Sequence, residues 1–295
     1  MRQNESSQPD AAAGASPSED RYADLHVHSS ASDGLLSPTE VVALAAGKGF
    51  AALSISDHDT VAGLPEGFAA AKKQGIELLA GVELSAYLEN SEVHILGYCF
   101  DYENEALLSA LERLCAERVR RIEEMIRLLR ELGVTLDRSS IDAAAAFGSV
   151  GRLHVARALY RQGLVSNVRQ AFVKYIGRGK PAYVPRAHIP PEEACRLIRD
   201  AGGVPVLAHP SLLDRQSLIP KLVKEGIEGI EAFYSRVTPD VAKQYSRVAK
   251  KYGLLVTGGS DCHQGEGGDF LLGTVKLDYK YVQKLKDVVA ARSLS

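Results

Sequence analysis

The sequence predicts an α/β fold in which short buried strands alternate with helices. The 295 residues are 45% hydrophobic and 24% charged, an ordinary globular composition that is long enough for one large domain or two smaller ones. Seven short apolar runs are separated by helical patterns, and this alternation favours a parallel sheet. The predicted strands are residues 24–28, 51–56, 76–84, 93–98, 204–209, 227–234 and 254–259.

Helix signals lie between several of these strands. The first predicted helix, 38–49, has Ser37 as its N-cap, a proline at its first position and a glycine at its end. The segments 191–203 and 238–253 repeat the proline start and the glycine stop. These signals predict helices that connect successive strands of the sheet.

Residues 101–190 interrupt the alternation. They open with a long amphipathic helix over 105–132, continue with helical pieces at 141–148 and 153–163, and end in a turn-rich segment, IGRGKPAYVP. We therefore expect a helical insertion at 101–190 between the fourth and fifth strands, which would form a substrate-binding subdomain.

Composition narrows the range of functions. A net charge of −2 gives no overall positive field, so we expect no duplex DNA partner. Four cysteines without a CxxC pair indicate neither a zinc knuckle nor a disulfide framework, and a cytoplasmic location is predicted. Residues 1–20 are rich in Ser, Ala, Pro and acids and lack an apolar core, which predicts a disordered leader and no signal peptide. No run is apolar over the roughly 18 residues that a membrane helix needs.

Histidines and acids gather at the predicted strand ends. In DLHVHSSASDG, His26 and His28 would share one face of a strand. Alone, this pair would indicate only polar residues on an exposed edge strand. However, six of the eight histidines lie at or near strand ends, although His94 comes early in its strand. The six histidines are His26, His28, His58, His94, His209 and His263, and nearby acids are Asp33, Asp57, Asp59, Glu83 and Asp261.

A shared metal site explains this convergence, because the carboxyl ends of parallel strands meet at one rim. Imidazole and carboxylate ligands without a thiolate suit Zn, Mn or Fe. Cys262 would point away from the site on an extended backbone. Nine plausible ligands suit two or three ions bridged by carboxylates, an arrangement used in phosphate-ester hydrolysis.

Six ordered motifs resemble signatures of the PHP (polymerase and histidinol phosphatase) family. They are DLHVHSSASDG, SDHDT, GVELS, VHILGY, AHP and GSDCH, and they span residues 24–263. The resemblance implies a distorted seven-stranded (β/α)7 barrel, built from 21–100 and 191–295, that carries three divalent metal ions. The insertion resembles a branch that contains nucleoside 3′,5′-bisphosphate phosphatases and TrpH-like 5′-to-3′ exoribonucleases.

The resemblance also implies a ligand set for each ion. The first ion would be held by His26, His28, Glu83 and Asp261, the second by Glu83, His94 and His209, and the third by Asp33, His58 and His263. The carboxylate at Asp33 favours manganese or iron over an all-zinc centre, and manganese is our first choice. Asp24 and Asp57 each precede a ligand, and we expect them to orient imidazoles or, alternatively, to cap strand ends.

Basic residues of the insertion are candidates for substrate binding. Arg118 interrupts the apolar seam of the long helix, which is costly unless it is paired or faces an opening. Alternatively, it reaches solvent or pairs on the helix face of Glu117. Arg152 and Lys180 complete the predicted set, since the resembling branch binds its uncleaved phosphate with basic residues of this insertion. His188 is predicted to lie on the surface, and His154 receives no definite role.

The predicted function is that of a metal-dependent phosphoesterase. A hydroxide that bridges two metal ions would attack the phosphorus, and the ions would be held by Glu83, Asp261, His26 and His28. The substrate would be a nucleoside 3′,5′-bisphosphate or the 5′ end of a short RNA. One alternative is a phosphatase of another small phosphomonoester, such as histidinol phosphate. Another is a non-catalytic, metal-stabilised PHP module.

Overall fold

All seven predicted strands are present in the computed structural model, which describes residues 21–139, 141–143, 148–186, 189–263 and 271–294. The predicted leader, half of the helical piece at 141–148, and His188 lie outside these ranges. The strands are β1 (Tyr22–Val27), β2 (Ala52–Ile55), β3 (Glu77–Leu88), β4 (Ser91–Tyr98), β5 (Val204–Leu207), β6 (Gly229–Tyr234), β7 (Leu255–Gly259) and β8 (Leu277–Asp278).

The sheet is mixed, so the prediction of a parallel sheet is wrong around β4. Strand order is β7-β6-β5-β4-β3-β2-β1-β8, and β4 runs antiparallel to both β3 and β5. The reason is the tight turn between β3 and β4, where Glu89 and Asn90 have φ values of 48° and 64°. Two residues can join antiparallel strands, whereas a parallel pair needs a long crossover.

The eight-stranded sheet is nearly closed. The short strand β8, which the sequence pattern missed, pairs antiparallel with β1 at one edge. On the same side, the segment after β7 approaches β1: the Asp261 amide donates to the His26 carbonyl at 2.8 Å, and the His28 amide donates to the Cys262 carbonyl at 3.0 Å. The described fold is therefore an α/β barrel-like sheet with one strand more than the seven expected.

Helices cover the sheet as the capping signals predicted. They are α1 (Pro38–Gly47), α2 (Leu64–Gln74), α3 (Glu105–Glu131), α4 (Arg152–Arg161), α5 (Val168–Ala171), α6 (Pro191–Asp200), α7 (Ile219–Glu225), α8 (Pro239–Tyr252) and α9 (Tyr279–Ser293). Ser37 begins α1 with a reciprocal capping box to Glu40, and Gly253 ends α8 in the left-handed conformation. Among the described residues, no helix is both long and apolar enough to cross a membrane.

The helix α3 links two hydrophobic clusters. Its first half, including Leu107 and Leu111, packs into the main core beneath the sheet. Its second half, including Met125 and Leu129, packs into a separate cluster formed by residues 119–184. The helix therefore places the side chains near its middle between these two clusters, close to the rim of the sheet.

Candidate metal centre and substrate cavity

The strand ends bring the nine predicted ligands to one rim. His28, His58, His209, Asp261 and His263 follow the carboxyl ends of β1, β2, β5 and β7. His94 comes early in β4 because that strand is antiparallel, so that its amino end lies at this rim. The position of His94 early in its strand did not fit the pattern of histidines at strand ends, and the direction of β4 explains it.

The Glu83 carboxylate lies at the centre of the cluster, with its side chain fully buried. Its Oε1 atom is 2.8 Å from His94 Nδ1 and 2.9 Å from His209 Nε2. Its Oε2 atom is 2.8 Å from His58 Nδ1 and 3.4 Å from His28 Nε2. A carboxylate whose two oxygens face different imidazoles is well placed to bridge two cations.

His26 and His28 form a second group with Asp261. The two Nε2 atoms are 3.2 Å apart, and Asp261 Oδ1 lies 3.6 Å from that of His26 and 3.3 Å from that of His28. Both imidazoles are completely buried. The facing nitrogens at this distance form a compact group of possible ligand atoms.

Asp33 lies close to the remaining predicted ligands. Its Oδ1 atom is 3.2 Å from His263 Nε2, and its Oδ2 atom is 3.9 Å from His58 Nε2. His28 also belongs to this group, since its ring stacks on that of His263 with centroids 4.0 Å apart. The geometry thus places His28 and His58 each in two groups, whereas the sequence prediction assigned each to one ion.

The donor chemistry fits divalent cations. Glu83 Oε2, Asp33 Oδ1 and His58 Nδ1 are buried and have no partner with hydrogen-bond geometry among the described residues, although Glu83 Oε2 lies only 2.8 Å from His58 Nδ1. Burial alone would raise the pKa of Glu83, but the neighbouring imidazoles hold it well below its usual range, so the group is anionic. Burial lowers the pKa of His58 to about 4, which leaves a neutral imidazole, whereas, despite burial, Glu83 and Asp33 raise the pKa values of His94 and His263 to about 9, so that metal binding would have to displace their protons. Anionic oxygens and neutral ring nitrogens are the forms that bind a first-row metal ion.

Glu231 is a functional candidate that the sequence reasoning missed. This fully buried carboxylate on β6 lies 3.0 Å from His26 Nδ1 through Oε1 and accepts the His209 amide at 2.7 Å through Oε2. It therefore orients one imidazole and fixes the backbone of another histidine. An acid within the apolar run IEGIEAFY was the available signal.

Replacing Glu231 with glutamine should weaken metal binding by about 10- to 100-fold, because the His26 imidazole loses its charged partner. Metal affinity measured by competition with a coloured chelator tests this effect. Glu228→Gln, which alters a partly exposed carboxylate next to Arg292 just before β6, is the matched control. Equal metal affinities in wild type and Glu231→Gln would contradict the role.

Asp24 and Asp57, which we expected either to orient imidazoles or to cap strand ends, accept hydrogen bonds from backbone amides and serine hydroxyls. Asp57 accepts hydrogen bonds from the Ser29 amide and hydroxyl and from the Ser32 hydroxyl, at 2.6–2.7 Å. Asp24 accepts from the Ser260 amide at 2.8 Å. Both carboxylates hold the backbone segments that carry the ligands, which is closer to the strand-end capping alternative.

Two residues of α4 support the site in ways that the sequence did not reveal. Arg157 donates to the Asp33 carbonyl at 2.6 Å and to the His263 carbonyl at 3.4 Å. It therefore ties together the two loops that carry these ligands. His154 accepts the Gly151 amide at 3.1 Å through Nδ1, so this histidine caps the start of α4.

A cavity of about 290 Å³ opens beside the histidine cluster. Its lining includes four of the predicted metal ligands, Asp33, His58, His94 and His209. The other lining residues include three arginines and several apolar side chains, and they are Glu92, Arg118, Gly151, Arg152, Leu153, Phe172, Arg186, Ala208, Leu212 and Leu213. A ligand in this cavity would meet the cluster, guanidinium groups and an apolar surface together.

The predicted basic residues differ in position. Arg118 lines the cavity but is 4% exposed and bound to the Asp59 carboxylate at 2.6 and 2.7 Å, so it neither reaches solvent nor pairs with Glu117. Arg152 also lines the cavity, with Nη2 3.7 Å from Glu92. Lys180 is exposed and lies outside the lining. Arg186, which the sequence reasoning missed, lines the cavity instead and lies 3.1 Å from Glu92.

Sequence comparison identifies the family. Residues 24–175 match the profile of the PHP domain. The chain belongs to the PHP-domain family. Across 250 residues, it is 38% identical to a 5′-3′ exoribonuclease of Haemophilus influenzae, covering 81% of this chain and 89% of that protein.

Two further comparisons extend over most of the chain. It is 37% identical to a 3′,5′-nucleoside bisphosphate phosphatase of Chromobacterium violaceum, covering 83% of this chain and 88% of that protein. A crystal structure from Bifidobacterium adolescentis, proposed as a metal-dependent phosphoesterase, superimposes with a TM-score of 0.83 at 29% identity, covering 91% and 96% of the two chains.

Proposed function

We propose that this PHP-family chain is a metal-dependent phosphoesterase that acts on nucleoside 3′,5′-bisphosphates or on the 5′ ends of short RNA. The observation that carries the proposal is the cavity of about 290 Å³, whose lining combines members of the histidine–carboxylate cluster with Arg152 and Arg186. The names of the relatives from Haemophilus influenzae and Chromobacterium violaceum support this choice of substrates. The presence of all nine predicted ligands, and of arginines in the cavity lining, disfavours a non-catalytic module.

The nine clustered residues would hold the ions, and we propose three ions per chain, with manganese favoured and iron or zinc as alternatives. Bound divalent ions lower the pKa of water and stabilise negative charge on phosphoryl oxygens. Glu83 would bridge ions through its two oxygens, while Glu231 and Arg157 keep the surrounding ligands in place.

Arg152 and Arg186 would orient the substrate by binding the phosphate that is not cleaved, because guanidinium groups bind phosphate in a bidentate manner. Arg118 would position Ser85 and Asp59 rather than serve as a free phosphate ligand. Leu153, Phe172 and Leu212 offer the apolar surface on which a nucleoside can pack. Since Arg152 and Phe172 lie within 101–190, we propose this segment as the substrate-binding subdomain. A cytoplasmic location stays a prediction.

The direct experiment is a substrate screen with manganese-loaded protein. Phosphate and mononucleotide release is measured from adenosine 3′,5′-bisphosphate, 5′-phosphorylated short RNA, histidinol phosphate and p-nitrophenyl phosphate. We expect the first two to be preferred in kcat/KM. A preference for histidinol phosphate would favour the alternative phosphatase, and no turnover of any substrate would favour a non-catalytic module.

Arg152→Ala should lower kcat/KM for adenosine 3′,5′-bisphosphate by about 30- to 150-fold, the value of a charge-assisted contact of roughly 2–3 kcal/mol. Hydrolysis of p-nitrophenyl phosphate should change only a few-fold, since that ester has no second phosphate. Arg161→Ala, at the exposed end of the same helix, is the control. Equal losses on both substrates would remove Arg152 from phosphate binding.

Asp33→Ala should lower the metal content by about one ion per chain, because Asp33 would be the carboxylate of the third ion. Elemental analysis of wild type and variant, purified in parallel from manganese-supplemented cultures, measures this difference. An unchanged metal content in the folded variant would contradict the assignment of Asp33 as a ligand.

A further inference from the structure

A second cavity of about 290 Å³ lies against the substrate cavity and shares Glu92 and Arg186 with it. Tyr87, Asn90, Arg121 and Tyr183 contribute to its other walls. It contains none of the nine candidate metal ligands. A ligand that passed the Glu92–Arg186 wall would therefore extend from the substrate cavity into a separate compartment.

Positive charge exceeds negative charge among the described residues that line the second cavity. They include two guanidinium groups, those of Arg121 and Arg186, and one carboxylate, that of Glu92, which also lies 3.7 Å from Arg152. Arg121 is 6% exposed and donates through Nε to the Val184 carbonyl, a neutral acceptor. Burial, followed by the nearby arginines, lowers the pKa of Arg121 to about 9. Buried guanidinium groups gathered in this way are costly unless an anion joins them.

The chemistry of the second cavity suits a phosphoryl group. Guanidinium N–H groups form charge-assisted hydrogen bonds with phosphate oxygens, and the lining residue Tyr183 carries a further type of donor, a hydroxyl. The second cavity is adjacent to the substrate cavity, because Arg186 lines both of them.

We propose that the second cavity is an anion-binding site for a further phosphoryl group of the same ligand, beyond the phosphate that Arg152 binds. This inference rests on the proposed function. The added phosphoryl group has two possible sources: a 5′-diphosphate end or the next nucleotide of a strand. Both present the same chemistry to Arg121 and Arg186.

Calorimetric titration of chelator-treated protein separates these ligands without turnover. The short ligand is adenosine 3′,5′-bisphosphate. The longer ligands are adenosine 5′-diphosphate 3′-phosphate and a 5′-phosphorylated adenosine trinucleotide. We expect wild type to bind at least one longer ligand more tightly than the short ligand, and the identity of that ligand assigns the source of the phosphoryl group.

Arg121→Gln should weaken binding of that longer ligand by about 10- to 100-fold, with a change of less than about threefold for the short ligand. Arg120→Gln, an exposed arginine on the same helix, should alter neither affinity. Asn90→Asp provides a second test that preserves the backbone, because aspartate tolerates the φ of 64° at this exposed position. Its added negative charge should weaken the longer ligand a few-fold.

Unchanged affinity of the longer ligand in both Arg121→Gln and Asn90→Asp would overturn the proposal, as would an equal loss on short and long ligands. If wild type gains nothing from the longer ligands but hydrolyses the bisphosphate with manganese, this inference alone fails. If wild type neither binds nor hydrolyses any of these compounds, the proposed function fails with it.

Discussion

Replacement of Glu83 with glutamine should lower phosphoesterase activity by on the order of 10³-fold or more, the largest effect expected of any single substitution here. Both carboxylate oxygens are used, one facing His94 and His209 and the other facing His58 and His28. Glutamine keeps the shape but removes the negative charge and turns one oxygen into an N–H donor, which cannot bind a cation. Metal content and kcat/KM for adenosine 3′,5′-bisphosphate should therefore fall together.

Glu77→Gln is the matched control, since Glu77 is the first residue of β3, six positions before Glu83, and pairs with Lys286 instead of a histidine. This variant should keep wild-type activity and metal content. Full activity of Glu83→Gln after chelator treatment would contradict the metal mechanism. Loss of activity in both variants would instead indicate general damage to β3.

Asp59→Asn should destabilise the fold by about 3–5 kcal/mol, because it leaves the buried Arg118 guanidinium without its carboxylate. Asp59 is 1% exposed, and its Oδ2 accepts a hydrogen bond from Arg118 Nε at 2.7 Å and lies 2.6 Å from Arg118 Nη2, while Oδ1 accepts the Ser85 amide at 2.7 Å. An asparagine would have to point its NH₂ group at one of these donors. Asparagine also tolerates the φ of 51° at this position, so the charge is the variable that changes.

Chemical denaturation of the wild type and the Asp59→Asn variant measures this difference. Asp214→Asn removes the carboxylate of an exposed pair with Arg178 and should change stability little. Equal midpoints for wild type and Asp59→Asn would show that Arg118 finds another partner, and would contradict the account of this ion pair.

Much of the rim could be predicted because its residues carry local signals. His26 and His28 follow the two-residue period of β1, and His58 and His209 come directly after apolar runs that became β2 and β5. The helix starts at Ser37 and Thr238 were equally local, since capping depends on a few neighbouring residues. These features require no knowledge of tertiary structure.

The direction of β4 and the residues that support the ligands could not be predicted in this way. Strand direction depended on the short Glu89–Asn90 turn, which lies between two apolar runs that read equally well as parallel strands. Glu231 lies 205 residues after His26, the imidazole that it orients, and Arg157 reaches Asp33 across 124 residues. Such pairs arise only when the sheet closes and α4 packs over the rim.

The arginines that line the substrate cavity show the same limit of prediction from sequence. Arg118 was conspicuous because it interrupts an apolar helical seam, yet its partner proved to be Asp59 in the loop after β2. Arg186 follows a turn-rich segment, where the periodicity of the sequence does not indicate which way a side chain points. Its place beside the cavity is evident only from the structure, in which it lies 3.1 Å from Glu92. The sequence pattern identified Arg118 and Arg152, which line the cavity, but not Arg186 or the pairing of Arg118 with Asp59.

The most direct test of the metal-dependent phosphoesterase is phosphate release from adenosine 3′,5′-bisphosphate by one preparation measured before chelation, after chelation and after manganese is restored. We predict activity that disappears with the metal and returns with it in wild type, and that fails to return in Glu83→Gln. Turnover that survives complete removal of metal, or that manganese restores equally to Glu83→Gln, would contradict the central claim.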